Sequence, residues 1–221
     1  MTPRTVRRWP LRSGSFCATA AVIACAPPAT TAPERAAPVA VADTAPAGLV
    51  PPGFGTLRQD EIAIRLQPPG LVVRAIPLDE TLIRLLTPDS YRNLHDLRMS
   101  TAARLAGVAQ RLGGRAVEPW LVSFFGVEPD VRFSPMDLIV TSAGRDFRPL
   151  EVVPLSAGFG EQRLRQRETQ TAVFVFEADI DVDQPLSVAF MNERSDVWEH
   201  VLPRIERERA LVRARASRTK P

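Results

Sequence analysis

Three aspartates in alternation, Asp179, Asp181 and Asp183, are the residues best placed by type and spacing to hold a metal. Calcium takes six to eight oxygen ligands, and a calcium-binding loop needs a glycine at its sixth position and a bidentate glutamate at its twelfth. Gln184 stands at the sixth position and Phe190 at the twelfth, so both requirements fail. The aspartates are therefore weak metal candidates, and an acidic turn between two strands also explains them.

Paired carboxylates are the second chemistry that the sequence could support. A glycoside hydrolase needs two acids about 5–10 Å apart. Acidic residues lie near the ends of several predicted strands: Glu118, Glu128, Asp130, Asp137 and Asp146. Sequence alone does not show whether any two converge, so a glycan hydrolase stays open as an alternative.

The chain contains few residues that could carry out nucleophilic catalysis. The chain has no Gly-x-Ser-x-Gly or Ser-x-x-Lys motif, and the two imidazoles, His95 and His200, fit structural roles. We expect a protein that is not an enzyme and that uses no cofactor.

A row of arginines could bind an anionic partner. In an extended segment, Arg163, Arg165 and Arg167 would project from one face, because side chains of a strand alternate. Guanidinium groups bind carboxylate and phosphate with two parallel hydrogen bonds. A row of charges also prevents an edge strand from pairing with other sheets, so both interpretations stay open.

The N-terminus has the form of an export signal. Four arginines and no acidic residue precede residues 15–24, a mostly apolar run that is too short to span a bilayer. Val22-Ile23-Ala24-Cys25 resembles the lipobox of bacterial lipoproteins, in which the cysteine is lipidated. The resemblance implies a signal peptide over 1–24, a lipid on Cys25 and a place on the cell envelope, at the outer membrane facing the periplasm or the surface. Ordinary signal cleavage near Ala24 is the alternative.

Composition separates the rest of the chain into a tether, a body and a tail. Residues 25–52 are rich in proline and alanine, which predicts a disordered tether. The globular domain is expected over 53–203, and a basic helix or tail over 204–221. Although the 221-residue chain carries a net charge of +3, residues 25–203 hold 17 basic and 23 acidic residues. The basic character belongs to the leader and the tail, and nucleic acid is not expected as a partner.

Hydrophobic periodicity predicts a mainly β fold for the body. About seven strands with period-two patterns surround a helical insertion at about 79–112, for which Asp79 and Thr87 are expected N-caps. The fold class that follows is an antiparallel β-sandwich with this insertion and a C-terminal helix. The strand at 169–177 is apolar on both faces, so we expect it to be covered on both sides.

Residues 119–191 resemble the immunoglobulin-like sandwich modules of envelope lipoproteins. The resemblance depends on Phe124-Phe125, Phe133-x-Pro135-x-x-Leu138, the hairpin at 144–149 and the strand that ends Phe174-Val175-Phe176. It implies an Ig-like fold, although the Cys-Trp-Cys core of such domains is absent, and it bears on fold alone.

The predicted function is that of a non-enzymatic structural or binding module, held at the membrane surface by its N-terminal lipid. An envelope protein or a polysaccharide is the expected partner. The alternatives are an envelope glycan hydrolase and a calcium-dependent binding module. No oligomeric state follows from the sequence.

Overall fold

A computed structural model describes residues 49–219 of the chain. The predicted signal peptide, Cys25 and most of the predicted tether therefore lie outside the described residues. The described part contains the strands β1 (Ile64–Leu66), β2 (Leu71–Pro77), β3 (Val117–Gly126), β4 (Val131–Arg132), β5 (Ile139–Ser142), β6 (Arg145–Phe147), β7 (Glu151–Pro154), β8 (Arg163–Leu164), β9 (Thr169–Glu177), β10 (Leu186–Phe190) and β11 (Glu193–Ser195). Its α-helices are α1 (Glu80–Ile83), α2 (Pro88–Arg111) and α3 (Trp198–Thr219), and short 3-10 turns cover Gln59–Glu61, Pro135–Asp137 and Phe159–Glu161.

The strands form antiparallel sheets. A five-stranded sheet has the order β1-β2-β3-β9-β7, a four-stranded sheet has the order β11-β10-β5-β6, and β4 pairs with β8. The longest pairing joins β3 to β9, from Val117 opposite Glu177 to Phe125 opposite Thr169. This confirms a mainly β fold with antiparallel sheets, a helical insertion and a C-terminal helix.

The two larger sheets pack face to face over an aromatic core, in a sandwich-like arrangement. Phe124 of β3 lies 5.5 Å from Phe190 of β10, measured between ring centroids, and stacks on Phe133 at 4.4 Å. Further along β3, Trp120 meets Phe176 of β9 edge to face at 5.7 Å. Aromatic pairs of this kind contribute stability beyond the area that they bury.

Helix α2 covers the outer face of the five-stranded sheet. Val173 and Val175 of β9 are fully buried although they point away from Phe174 and Phe176, which confirms that β9 is covered on both sides. Helix α2 packs against β3, and its Arg104 reaches Glu151 of β7 with 3.0 Å between Nε and Oε1. The apolar pattern of β9 is thus explained by the second sheet on one side and α2 on the other.

The two predicted helix caps have different outcomes. Asp79 caps α1 as expected, because its Oδ1 accepts the backbone N–H groups of Thr81 (2.7 Å) and Leu82 (3.2 Å). Thr87 precedes α2, but its hydroxyl donates to Ser90 Oγ at 2.9 Å and makes no hydrogen bond to a backbone N–H. Pro88 at the first helical position starts α2 without needing that bond.

Helix α3 is part of the packed body and begins at Trp198, before the expected boundary at residue 204. Trp198 donates its indole N–H to the backbone oxygen of Val182 at 3.0 Å, while Ile205 and Val212 are buried. Glu208 of this helix is also buried, at 5% exposure. Among the helices of residues 49–219, none combines the length and hydropathy needed to cross a bilayer.

Candidate functional site

The loops at one end of the sandwich, residues 126–137, 157–168 and 191–192, come together and are here named the loop end. Backbone hydrogen bonds join them: Gly126 N–H donates to Glu168 O at 2.9 Å, and Phe133 N–H donates to Gln162 O at 3.1 Å. The hairpin turn at 191–192 follows Phe190, whose ring contacts that of Phe124. The loop end therefore consists of loops that adjoin strands of all three sheets of the described residues.

Left-handed backbone conformations are concentrated at the loop end. L-residues with a side chain adopt positive φ rarely, and such residues cluster where a structure serves a function. Among residues 49–219, five non-glycine residues have positive φ, and Ala143 at 50° is the one outside the loop end. The other four are Asp130 (60°), Gln162 (52°), Arg167 (62°) and Met191 (54°).

Exposed apolar side chains lie on the same loops. Val127 is 48% exposed, Met136 is 47% exposed and Met191 is 53% exposed. Six further large apolar side chains among the described residues are exposed outside these loops, so exposure alone does not distinguish the loop end. Met191 combines both features, since it is exposed and has a left-handed backbone.

The three predicted anion-binding arginines also belong to the loop end, but they do not form one extended row. Strand β8 ends at Leu164, and Glu168 N–H donates to Arg165 O at 3.1 Å, which closes a turn that contains Arg167. Arg163 forms an ion pair with Asp130 at 2.8 Å. The alternation along the sequence suggested a strand, whereas the chain turns after two strand residues.

Gly126 lets this turn lie close to β3. A Cβ at Gly126 would lie 2.5 Å from the backbone oxygen of Arg165, which is closer than real Cβ atoms approach other atoms. Arg167 N–H donates to Gly126 O at 2.8 Å and fixes the turn there. The position of the arginine-bearing turn is therefore set by backbone contact.

A polar cavity of about 460 Å³ opens beside this turn. Gln170 of β9 is 2% exposed, and its Nε2 donates to Arg163 O at 3.1 Å and to Glu168 Oε1 at 2.8 Å. These two acceptors fix the orientation of the amide, and Gln170 Oε1 accepts no hydrogen bond from the part of the chain that the structure describes. The cavity is lined by Asp130, Gly158, Glu161, Arg163, Arg165, Glu168 and Gln170.

Glu168 supports one wall of this cavity as a carboxylate. Its Oε2 accepts the backbone N–H of Arg165 at 2.8 Å. This bond and the one from the Gln170 amide lower the pKa of Glu168. Glu168 is therefore ionised at neutral pH and presents acceptors only.

A second cluster, the carboxyl cluster of Glu118, Asp79 and Asp181, lies at the other end of the core. Burial is the largest of the causes that raise the pKa of Glu118 to about 8, and the charge of Asp79 is the second. The charge of Arg98 acts in the opposite direction. The hydrogen bond between Glu118 and Asp79 and the charge of Asp181 act in the same raising direction. Asp79 Oδ1 already accepts donors of α1, so the shared proton resides on Glu118.

Strand register explains why Asp79 and Glu118 meet. Strand β2 pairs with β3 so that Pro77 lies opposite Trp120, and Leu78 N–H donates to Pro119 O at 2.9 Å. Continuing that register places residue 79 opposite residue 118. Glu118 as an acid and Asp79 as a cap are evident from the sequence, but their pairing is not, because the sequence assigns no register between these strands.

The aspartates predicted as weak metal candidates have separate partners. Asp179 pairs with Arg145 at 2.9 Å, and Asp183 pairs with Arg209 at 2.7 Å. Asp181 Oδ1 accepts the backbone N–H of Asp183 at 2.9 Å, as expected of an acidic turn. Within residues 49–219, no group of three or more His, Cys, Asp or Glu side chains is arranged to hold a metal.

The remaining acids and the histidines are dispersed. Asp146 accepts the hydroxyl of Thr141 at 2.7 Å. His95 stacks on Tyr91, and its Nδ1 lies 3.3 Å from Glu80 Oε2. Burial would raise the pKa of Glu80, but hydrogen bonds from Arg84, His95 and Tyr91 outweigh burial and lower it. His200 is exposed on the first turns of α3, and Glu128 and Asp137 are exposed as well.

Comparisons with known proteins assign no family to this chain. No protein-family model, no curated protein and no solved structure matches it. The Ig-like resemblance of residues 119–191 stays a prediction, and the loop end and the carboxyl cluster are the features that bear on function.

Proposed function

We propose that the protein is a non-enzymatic binding module of the bacterial cell envelope, which engages its partner through the loop end. In this proposal residues 1–24 are a signal peptide and a lipid on Cys25 holds the module at the membrane. The observation that carries the binding role is the coincidence of left-handed backbones and exposed apolar side chains on one set of loops. An Ig-like topology of the sandwich is part of the same proposal.

Backbone strain supports this role because it has a cost. A non-glycine residue in a sparsely populated conformation costs on the order of 1–3 kcal/mol. The two-residue hairpin between β10 and β11 itself requires the positive φ of Met191, whereas the other three left-handed residues lie in longer loops. A binding surface that needs a fixed loop shape accounts for them, and loops on a rigid sheet scaffold are a common place for recognition.

The carboxyl cluster supports a structural role better than a hydrolytic one. Two carboxyl groups that share a hydrogen bond, as Glu118 and Asp79 do, are closer than the acids of a glycosidase, which need about 5–10 Å between them. Asp79 is also engaged by the N-terminus of α1. The pair closes the end of the core between β3 and α1.

A glycan hydrolase is the second candidate, and one observation favours it. Glu118 holds a proton near neutral pH, as a general acid must, and a cavity of about 280 Å³ nearby is lined in part by Asp79 and Asp181. In that case Glu118→Gln would abolish release of reducing sugar from envelope glycan. Hydrolysis that persists in Glu118→Gln, or is absent from the wild type, would exclude Glu118 as the acid.

Partner capture tests the binding role. Full-length protein is cross-linked in cells, and captured proteins and glycans are compared between the wild type, Met191→Gly and Ala143→Gly. Both substitutions relieve a left-handed backbone, but only Met191 lies at the loop end. We expect Met191→Gly to reduce capture at least fivefold and Ala143→Gly to leave it unchanged. Equal capture by all three proteins would refute recognition through the loop end.

The anchor has its own test. Labelling cells with radioactive palmitate should mark the wild type and leave Cys25→Ala unmarked. Label that persists in Cys25→Ala, or an unlabelled wild type, would remove the lipid anchor and leave the binding role to be judged on the capture experiment.

A further inference from the structure

We propose that the exposed face of helix α3 binds an anionic phospholipid surface. This face, here named the basic face, consists of exposed residues at helical spacing along one side of α3: Arg207, Leu211, Ala214 and Arg218, with Arg213 on its flank. The inference goes beyond recognition through the loop end and does not require the N-terminal lipid.

Charge is segregated between α3 and the rest of the described chain. Residues 204–219 hold six basic and two acidic residues, whereas residues 49–203 hold 16 basic and 21 acidic residues. An acidic body is repelled by an anionic membrane, and α3 is the helix whose charge reverses this repulsion locally. The sign of the charge therefore selects the side of the body that can approach such a surface.

Three of the six arginines in residues 204–219 hold α3 against the body. They make these ion pairs: Arg204 with Glu61 at 3.2 Å, Arg209 with Asp183 at 2.7 Å and Arg215 with Glu208 at 2.7 Å. The other three, Arg207, Arg213 and Arg218, are exposed and form no ion pair within residues 49–219. Glu206, the exposed acid of this stretch, is itself paired with Arg209. The three remaining guanidinium groups are therefore accessible to an external anion.

Leu211 favours a lipid surface over another polyanion. It lies between Arg207 and Arg218 on the basic face and is 44% exposed. Leucine beside basic residues is typical of helices that lie in the interface of a bilayer, where the apolar side chain leaves water. A nucleic acid or an acidic polysaccharide offers Leu211 no such environment, and the basic face has no aromatic ring on which a base could stack.

The expected contact is peripheral and electrostatic. Leu211 is the one large apolar side chain of the basic face, so the guanidinium groups supply most of the affinity. An arginine close to an anionic membrane strengthens binding roughly fivefold, and three together strengthen it on the order of a hundredfold. Salt screens these charges, so the affinity falls steeply as the ionic strength rises.

A fluorescent label on the basic face tests the contact. The full-length chain with Cys17→Ala and Cys25→Ala has no other cysteine and cannot carry the proposed lipid. The fluorophore NBD, which brightens on leaving water, is attached through Ala214→Cys, or through Ala102→Cys on the exposed side of α2 as a control. Because the signal is local, attachment of the N-terminal leader to a vesicle does not by itself produce it. The probes are vesicles of phosphatidylcholine, vesicles that contain one third phosphatidylglycerol, and dextran sulfate.

We expect the label at position 214 to brighten with the anionic vesicles and not with phosphatidylcholine alone, while the label at position 102 responds to neither. A tenfold rise in salt should abolish the response. Neutralising the three unpaired arginines together should raise the lipid concentration at half-saturation at least tenfold: Arg207→Gln, Arg213→Gln and Arg218→Gln. Leu211→Gln should raise that concentration at least twofold.

A matched control removes the same number of charges from exposed arginines outside α3: Arg92→Gln, Arg115→Gln and Arg148→Gln. This control should shift half-saturation less than twofold, because these arginines are not on the basic face. Glutamine is a good helix former, so the α3 variants should stay helical, and circular dichroism with thermal melting checks that each variant is folded.

The opposite results overturn the inference. They are a missing response at position 214, an equal response at position 102 or to phosphatidylcholine, an equal effect of the two triple variants, an unchanged half-saturation in Leu211→Gln, and stronger brightening with dextran sulfate than with anionic vesicles. Capture through the loop end is measured separately. Failure of the vesicle contact with Met191-dependent capture intact refutes this inference alone, whereas loss of that dependence refutes the proposed function.

Discussion

Replacing Glu118 by glutamine should remove a pH dependence from the stability of the fold. In the folded protein burial and the neighbouring Asp79 charge raise the pKa of Glu118 to about 8, whereas an unfolded glutamate has its ordinary value of 4.5. Between these values the folded state holds a proton that the unfolded state has released. The stabilising effect of that proton is complete below about pH 4.5 and is lost as the pH rises towards 8.

The magnitude follows from the difference of one bound proton. Each pH unit within the window lowers the free energy of unfolding by about 1.4 kcal/mol. From pH 5.5 to 7.5 the wild type should therefore lose about 3 kcal/mol relative to a variant that does not titrate at this position. Glutamine is that variant, because its amide still donates to Asp79 and carries no charge.

The assay is urea unfolding followed by tryptophan fluorescence at pH 5.5, 6.5 and 7.5. Trp120, two residues from Glu118 on the same face of β3, is fully buried and reports on this part of the core. The quantity of interest is the difference between wild type and Glu118→Gln, in which every other titrating group cancels. Glu193→Gln, a change of an exposed acid on β11, should give a curve parallel to that of the wild type.

A difference that stays constant within about 0.5 kcal/mol over this range would contradict the reasoning. It would mean that Glu118 is ionised in the folded protein and that the contact with Asp79 is not a shared proton. A difference that grows with pH in the opposite direction would mean that the glutamate is stabilised as an anion by Arg98.

Three further predictions concern the packing and the acidic turn. Glu208→Ala should lower the free energy of unfolding by about 1–2 kcal/mol in urea titrations, because it removes the buried carboxylate that accepts from Thr56 and Arg215. An exposed, solvated Glu208 would cost under 0.5 kcal/mol. Gly126→Ala should lower the free energy of unfolding by about 2 kcal/mol, because the added methyl would lie 2.5 Å from the backbone oxygen of Arg165. Gly107→Ala in α2 has room for the methyl and should raise the free energy of unfolding by up to about 1 kcal/mol. Calcium or a chelator should leave the melting temperature of wild type and Asp181→Ala unchanged, and a calcium-dependent shift in the wild type alone would restore the metal hypothesis.

Local patterns in the sequence predicted the elements that carry their own periodicity. The strand expected over 169–177 is β9, and the apolar residues of both its faces are buried. Gly113-Gly114 directly follows the helical insertion that was predicted to end at about residue 112, and both glycines have the positive φ that ends a helix well. In these places the signal and the structure that it specifies lie within a few residues of each other.

Features that depend on distant partners could not be predicted in this way. Strands β4 and β8 have two residues each, which is too short for a period-two pattern. Glu208 has the sequence context of a solvated helix residue, yet its partner Thr56 is 152 residues away. The left-handed backbone of Met191 belongs to the two-residue hairpin between β10 and β11, for which the residues carry no glycine signal, and the unsatisfied oxygen of Gln170 arises from how loops meet.

The bonds of Glu208 also set the order in which the chain can complete its fold. Glu208 Oε1 accepts the backbone N–H and the hydroxyl of Thr56, both at 2.9 Å, and Arg215 donates to Phe54 O at 2.7 Å across 161 residues. In a chain that emerges N-terminus first, from a ribosome or through a membrane, Phe54 and Thr56 cannot make these bonds until α3 has emerged. Contacts of such separation form late, because the loop between them must close first. We therefore expect full protease resistance of the body only after residue 215 has emerged.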